Sequence, residues 1–222
     1  MDYMTRAAGG QRGHRVRAAH KADVRDISGV LARAFGDDPV TTWMFPDPQE
    51  RERRLPAMFS SLLRYQHLRH GGVQLAVDEE GRIGGAALWD PPGRWKNPAW
   101  RELLAMPSYA RVFGKRIQVA SETIGGIEAA HPAEPHWYLA SIGTDPSFQG
   151  QGIGSTLLRY QLAECDRRDL PAYLESTKAA NVPYYERFGF RVARTIPIPG
   201  GGPTCWALWR PARNGNHKLA EA

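Results

Sequence analysis

The sequence predicts a single α/β domain of the α+β kind, with helices flanking a sheet, and three stretches predict it. From Ser141 to Tyr160, SIGTDPSFQGQGIGSTLLRY, an apolar run ends in a Gly-rich loop that opens into an amphipathic segment, the pattern of a strand turning into a helix. Val73 to Asp90 holds two strand-like runs, VQLAVD and RIGGAALWD, parted by the Glu80-Gly81 turn and therefore read as an antiparallel hairpin. Val24, Ile27, Val30, Leu31 and Ala34 recur at helical spacing, which gives a helix one apolar face to lay on a sheet. At 222 residues, with 42% hydrophobic and 23% charged, the chain suits one globular domain with a core of ordinary size.

Taken in order, residues 1–13 are polar and Gly-containing and are expected to be a disordered tail. His14 to Ala18 reads as a short first strand, and a helix follows from Ala22 to about Phe35 with Asp23 near its start. Gly36-Asp37-Asp38-Pro39 breaks it. A second helix begins after Pro48 and buries Leu55, Met58, Phe59, Leu62 and Leu63. The hairpin ends at the loop Asp90-Pro91-Pro92-Gly93. Asn97 to Ala130 is helical by composition, with interruptions expected near Pro107 and around Gly125-Gly126. The break His131-Pro132-Ala133-Glu134-Pro135 leads into the strand HWYLASIGT. Beyond the Gly-rich loop a helix ends near Arg168, followed by a strand at Ala172 to Glu175, a short helix from Val182 to Phe188, and strands at Arg191 to Ile196 and Thr204 to Trp209. The folded domain is expected to span 14–212, with 213–222 as a C-terminal tail.

Several function classes drop out. The 29 basic against 23 acidic residues give a net charge of +6, which favours anionic partners, yet the arginines are scattered and no nucleic-acid-binding motif spacing occurs. No stretch approaches 18 consecutive apolar residues, and Met1 to Arg17 has arginines without an apolar core, so no membrane span or secretory signal is expected and the protein is placed in the cytoplasm. Cys165 and Cys205 lack C-x-x-C spacing, and Cys165 shares a helical stripe with Leu158 and Leu162, the position of a core thiol. His67 and His70 are one helical turn apart without a third ligand. His131, Glu134 and His136 are separated by Pro132 and Pro135, which forbid a helical zinc motif and make the stretch a loop. No metal is expected.

The Gly-rich loop carries the chemistry. Gly150, Gly152 and Gly154 strip Cβ atoms from the backbone where a helix offers unpaired N–H groups and the positive end of its dipole, an anion cradle suited to a pyrophosphate. A P-loop is excluded because no Gly-Lys-Ser/Thr occurs, and a dinucleotide fingerprint fits Gly150, Gly152 and Ser155 poorly and lies too late in the chain. Gln149-Gly150-Gln151-Gly152-Ile153-Gly154, after a strand ending in Ile142-Gly143-Thr144, meets the pattern Q/R-x-x-G-x-G/A and resembles the pyrophosphate loop of the GCN5-related N-acetyltransferase (GNAT) family. Leu174 to Phe190, LESTKAANVPYYERFGF, resembles that family's late strand, following helix and Tyr-Glu-Arg-x-Gly-Phe ending. From about Trp137 to Trp209 the wording is most similar to the puromycin N-acetyltransferase type.

The resemblance implies a mixed, mostly antiparallel sheet of about six or seven strands with a cofactor cleft between the fourth and fifth. It implies acetyl-CoA as acyl donor and direct transfer, without a covalent enzyme intermediate, to the primary amine of a small molecule. Carried over, backbone groups of Ile142, Gly143 and Thr144 hold the pantetheine arm, amides of Gln149, Gly150, Gln151, Gly152, Ile153, Gly154 and Ser155 hold the pyrophosphate, and Asn181, an N-cap by its sequence context, touches the cofactor arm. The family's general acid is a tyrosine. Tyr185 occupies that position, whereas the adjacent Tyr184, four residues before Phe188, packs on the same apolar face. A general base is not assigned: Glu175, Asp37 and Asp38 are nearby carboxylates, and a water chain serves equally well. Trp43, Phe45, Trp89, Trp95 and Trp100, beside Asp37, Asp38 and Asp90, suit a bulky amine with a planar body. The rival reading is a non-catalytic acyl-CoA-binding sensor or interaction module on the same fold.

Overall fold

A computed structural model describes residues 13–214, so the expected tails lie, but for Gly13, Arg213 and Asn214, outside the described residues. Among the described residues seven strands form one sheet, in the order β1-β2-β3-β4-β5-β7-β6. They are β1 (Arg15–Ala18), β2 (Val73–Val77), β3 (Ile83–Asp90), β4 (Trp137–Thr144), β5 (Ala172–Ser176), β6 (Arg191–Pro197) and β7 (Thr204–Arg210). Every neighbouring pair is antiparallel except β4 and β5. A parallel pair needs a crossover, and the helix after the Gly-rich loop supplies it.

Strands β2 and β3 are buried on both faces, which is why they read as nearly unbroken apolar runs instead of alternating ones. Leu75 and Leu88 point to one face, where they meet α1 (Val24–Ala34) through Ile27 and Leu31 and α3 (Pro48–Leu62) through Leu55 and Phe59. Trp89, Leu139, Leu174 and Leu208 point to the other face and pack on Leu157, Leu158, Leu162 and Cys165 of α6 (Ile153–Arg168). Removing one such leucine would cost about 2–5 kcal/mol. Gly143 is a packing glycine: a Cβ there would lie 2.8 Å from the Ala34 Cβ and 2.9 Å from Leu31 Cδ2, so α1 rests directly on β4.

Four local expectations are corrected. A short helix, α2 (Pro39–Met44), follows the break, because Asp38 accepts from the amides of Val40 and Thr41 and Pro39 suits a first helical turn. Helix α4 (Ala99–Phe113) runs through Pro107; the carbonyl that loses its partner belongs to Leu103, which is 73% exposed and open to water. Helix α5 (Ile117–Ala129) runs through Gly125-Gly126, where Gly126 lets Pro199 approach within 2.9 Å of the Cβ position, and the real break is Gly114 at φ 50°. Asp23 does not cap α1 with its side chain, which instead pairs with Arg17.

Candidate active site

Strands β4 and β5 pair over three residues only, Trp137 with Ala172, Tyr138 with Tyr173 and Leu139 with Leu174. Beyond Leu139, β4 keeps its ladder to β3 through Ser141, Ile142, Gly143 and Thr144 but has none to β5. The parting coincides with a bulge: Leu88 faces Ser141 while the next residue, Trp89, faces Leu139, leaving Ala140 unpaired. A bulge bends its strand and increases local twist, which swings the end of β4 away from β5. The result is a fork whose β4 side presents free backbone donors and acceptors, the property required to bind an extended, amide-containing chain.

The Gly-rich loop lies at the open end of that fork. Asp145 is buried and accepts from Ser147 N at 3.0 Å, Ser147 Oγ at 2.6 Å and Arg33 Nε at 2.7 Å, tying the loop to α1. Burial opposes its charge, but those donors prevail and hold its carboxyl below the usual range. Gly150 and Gly152 adopt φ 77° and 78°, which L side chains resist, and Gly152 is the N-cap of α6. The side chain of Ile153 is core, so only its amide is available to a ligand. Gly154 looks into the fork. A Cβ there would sit 3.0 Å from Tyr184 Oη and 3.7 Å from Thr144 Oγ1. Free strand edge, left-handed glycines at a helix N-terminus and a cleft that one Cβ would begin to fill together fit a pantetheine arm and pyrophosphate.

Helix α7 (Val182–Glu186) closes the side opposite β4 and carries both tyrosines. Tyr184 packs edge-on against Phe188 at 5.3 Å, as expected, and its hydroxyl lies 3.3 Å from Ser155 Oγ at the first turn of α6. Tyr185 is 8% exposed beside Phe190. Burial first, then Tyr184 and Asp38, push its pKa well above the phenol value, so it carries its proton. Asn181 stands at the N-cap position of α7, but its side chain is exposed and makes no capping bond, which corrects that expectation.

On the other face the carboxylates divide. Asp38 accepts from two α2 amides and from Thr177 Oγ1, and Asp37 is exposed and paired with Lys178 at 2.8 Å, so both are engaged in holding α2 to the loop after β5. Glu175 is different: it is the first β5 residue past the last pair with β4, its side chain is 6% exposed, and Oε1 has no hydrogen-bond partner. His131 lies beside it, stacked on Trp95 with centroids 3.7 Å apart. In the sequence His131, Glu134 and His136 read only as a loop, and the one signal of more is a pair of histidines framing two prolines. Of the five aromatics proposed for the acceptor side, only Trp95 stands here. Trp89 faces α6, Phe45 stacks on Phe113 at 5.4 Å, Trp43 packs by Gly200 and Trp100 is exposed on α4.

Other sites fit less well. A groove of about 460 Å³ between α1 and the β2–β3 turn is lined by Arg17, Arg25, Arg33 and Arg82, but three of these are paired with Asp23, Asp145 and Asp78. Among the described residues no cluster of three or more His, Cys, Asp and Glu is placed to hold a metal ion, and no helix is long and apolar enough to cross a membrane.

Comparison with known proteins agrees with this geometry. An uncharacterised N-acetyltransferase of Schizosaccharomyces pombe is 28% identical over 185 residues, covering 78% of this chain and 73% of its own. A solved structure described as histone acetyltransferase HPA2 and related acetyltransferase, from Corynebacterium glutamicum, is 32% identical, with TM-score 0.71 over 92% of this chain and 99% of its own. The fold alone is shared, at 16% identity and TM-score 0.60 over 90% of this chain and all of the other, with a Drosophila melanogaster polyamine N-acetyltransferase that forms N-acetylagmatine. A sequence model described as the acetyltransferase (GNAT) family matches residues 37–190, and with a forked β4–β5 pair and a glycine-led helix at its mouth the chain belongs to that family.

Proposed function

We propose that residues 14–212 form one catalytic domain that transfers the acetyl group of acetyl-CoA directly to the primary amine of a small molecule in the cytoplasm. The observation that carries this is the fork: an unpaired β4 edge ending in a left-handed glycine loop is a groove for an extended chain with a pyrophosphate at one end. The free edge at Ile142, Gly143 and Thr144 would take the pantetheine amides. The amides of Gln149, Gly150, Gln151, Gly152, Ile153, Gly154 and Ser155 would take the pyrophosphate, and Asn181, exposed at the head of α7, would reach the arm from the other wall. The bound thioester supplies an activated acyl carbon. Tyr185, held in its protonated form, donates to the departing sulfur and serves as general acid.

Direct transfer is supported by the cysteines. Both are buried and both thiols are pushed up to about 12 by burial, so neither offers a thiolate for an acyl-enzyme. A small acceptor is supported by the depth of Glu175 and His131 under Trp95, and by the fold relative named for polyamine acetylation. Thiol release from acetyl-CoA across a panel of aromatic amines, aminonucleosides, spermidine, agmatine and a lysine peptide tests it. The best small amine should exceed the peptide at least tenfold in kcat/KM; the reverse would overturn the small-molecule reading, and no release with any acceptor would overturn transfer itself.

A further inference from the structure

We propose that Glu175 and His131 together form a one-proton acceptor at the fork, which deprotonates the incoming ammonium, and that His136 fixes the tautomer that makes this work. The inference rests on the transfer reading above and adds the group that reading leaves unassigned.

Hydrogen-bond roles can be followed from the surface inward. The Glu134 carbonyl can only accept, so His136 Nδ1, 2.5 Å away, must carry a hydrogen. Burial lowers the His136 pKa to about 4, against the raising effect of the Glu134 carbonyl, so near neutrality the ring is uncharged and its Nε2 is an acceptor. His131 Nε2, at 3.0 Å, must then donate to it. With the hydrogen on its Nε2 committed to His136, His131 meets Glu175 through Nδ1, which lies 3.7 Å from Oε1. The Nδ1 and Oε1 atoms can hold one proton between them, and Oε1 has no partner at full hydrogen-bond geometry.

Tyr138 and Tyr173 are held well above the phenol range by burial first, then by the charge of Glu175 and hydrogen bonding to it, so they keep their protons and meet the carboxylate only as donors; the Cys205 thiol is raised to about 12 by burial. Asp90, whose field reaches Tyr138, is paired with His67 at 2.9 Å, and Arg194 acts on Tyr173. Placement agrees with the role. Glu175 shares its face of the sheet with Tyr173, opposite Leu174 and α6, so it meets the fork from the side away from the cofactor helix.

The proton balance is complete. An alkylamine, with a pKa near that of lysine at about 10.4, arrives as an ammonium. Glu175 and His131 take one proton; the freed nitrogen lone pair forms the C–N bond to the acyl carbon as the C–S bond breaks. The thiolate leaves with the proton of Tyr185, the new amide nitrogen sheds its surplus proton to restore Tyr185, and the proton held by Glu175 and His131 passes to solvent.

The test is the pH profile of kcat/KM for the best amine. The wild-type enzyme should show a rising limb on the acid side of its optimum. Glu175→Gln, which keeps size and polarity, should lower kcat/KM about 100-fold or more at pH 7, abolish the limb and leave acetyl-CoA affinity within about twofold. His136→Phe, which keeps the ring but frees the His131 tautomer, should move the limb by about half a pH unit or more with a loss nearer tenfold. Glu175→Gln within about threefold of wild type with an unmoved limb overturns the proposal while leaving transfer intact. If that variant fails to fold, an unmoved limb in His136→Phe overturns it equally. No thiol release by the wild-type protein overturns the transfer reading and this proposal with it.

Discussion

At the scale of single residues, the proposed function separates groups that shape space from groups that would move protons. Gly154 has no left-handed φ, so a side chain there adds no backbone strain, yet its Cβ would point at Tyr184 Oη and Thr144 Oγ1 across the fork. Gly154→Val should therefore weaken acetyl-CoA binding by about 100-fold or more in calorimetry while lowering Tm by only a few degrees, the signature of a blocked cleft. Unchanged affinity in a folded variant would place the cofactor elsewhere. In the proposed reaction Tyr185 belongs to the second kind. Removing its hydroxyl leaves the ring beside Phe190, so Tyr185→Phe should keep acetyl-CoA affinity and lose roughly one to three orders of magnitude in turnover. If Tyr184→Phe showed that loss and Tyr185→Phe did not, the acid role would pass to the neighbour whose hydroxyl lies near Ser155.

At the scale of elements, legibility followed locality. Strands and helices with unbroken period were readable to within a few residues, as were the hairpin at Val73 to Asp90 and α6 to Arg168. The misreadings came where tertiary packing overrides a local breaker, as at Pro107 on an exposed helix face and Gly126 under Pro199. The Gly-rich loop was legible as a strand-to-helix turn because its left-handed φ values are ones that only glycine adopts cheaply. The contact of Glu175 with His131 was not, since it joins residues 44 apart through a loop without periodicity. Asp23 shows an element held by charge. Its hydrogen bonds to Arg17, with help from the His20 amide and against burial, lower its pKa from 3.8 to about 2. A carboxylate depressed on folding stabilises above its unfolded pKa and loses that contribution as pH falls toward the folded value. Both side chains are less than a third exposed, so Asp23→Asn should cost about 1–2 kcal/mol at pH 7, with the gap to wild type closing as the pH falls from about 4 to 2 in urea titrations.

At the scale of the molecule, the sheet is two pieces joined by a short seam. Strands β1 to β4 form one antiparallel piece and β5, β7 and β6 the other, and three residue pairs connect them. Helix α6 spans the seam on one face, packing on Leu139 from the first piece and Leu174 and Leu208 from the second. A ligand that fills the fork completes the missing ladder on β4, so its binding should stiffen the join more than any other part of the fold. At about 100 times its Kd, acetyl-CoA should add about 2.7 kcal/mol, which for a chain of 222 residues is a rise in Tm of about 5–10 °C. Hydrogen exchange locates the effect: protection should rise chiefly in peptides covering 140–144 and 149–155, whose amides lack partners across the fork or at the head of α6. Protection gained instead around Arg17, Arg25 and Arg82 would assign the cofactor to the arginine-lined groove beside α1, and would remove the physical basis for reading the parted strands as the acetyl-CoA cleft.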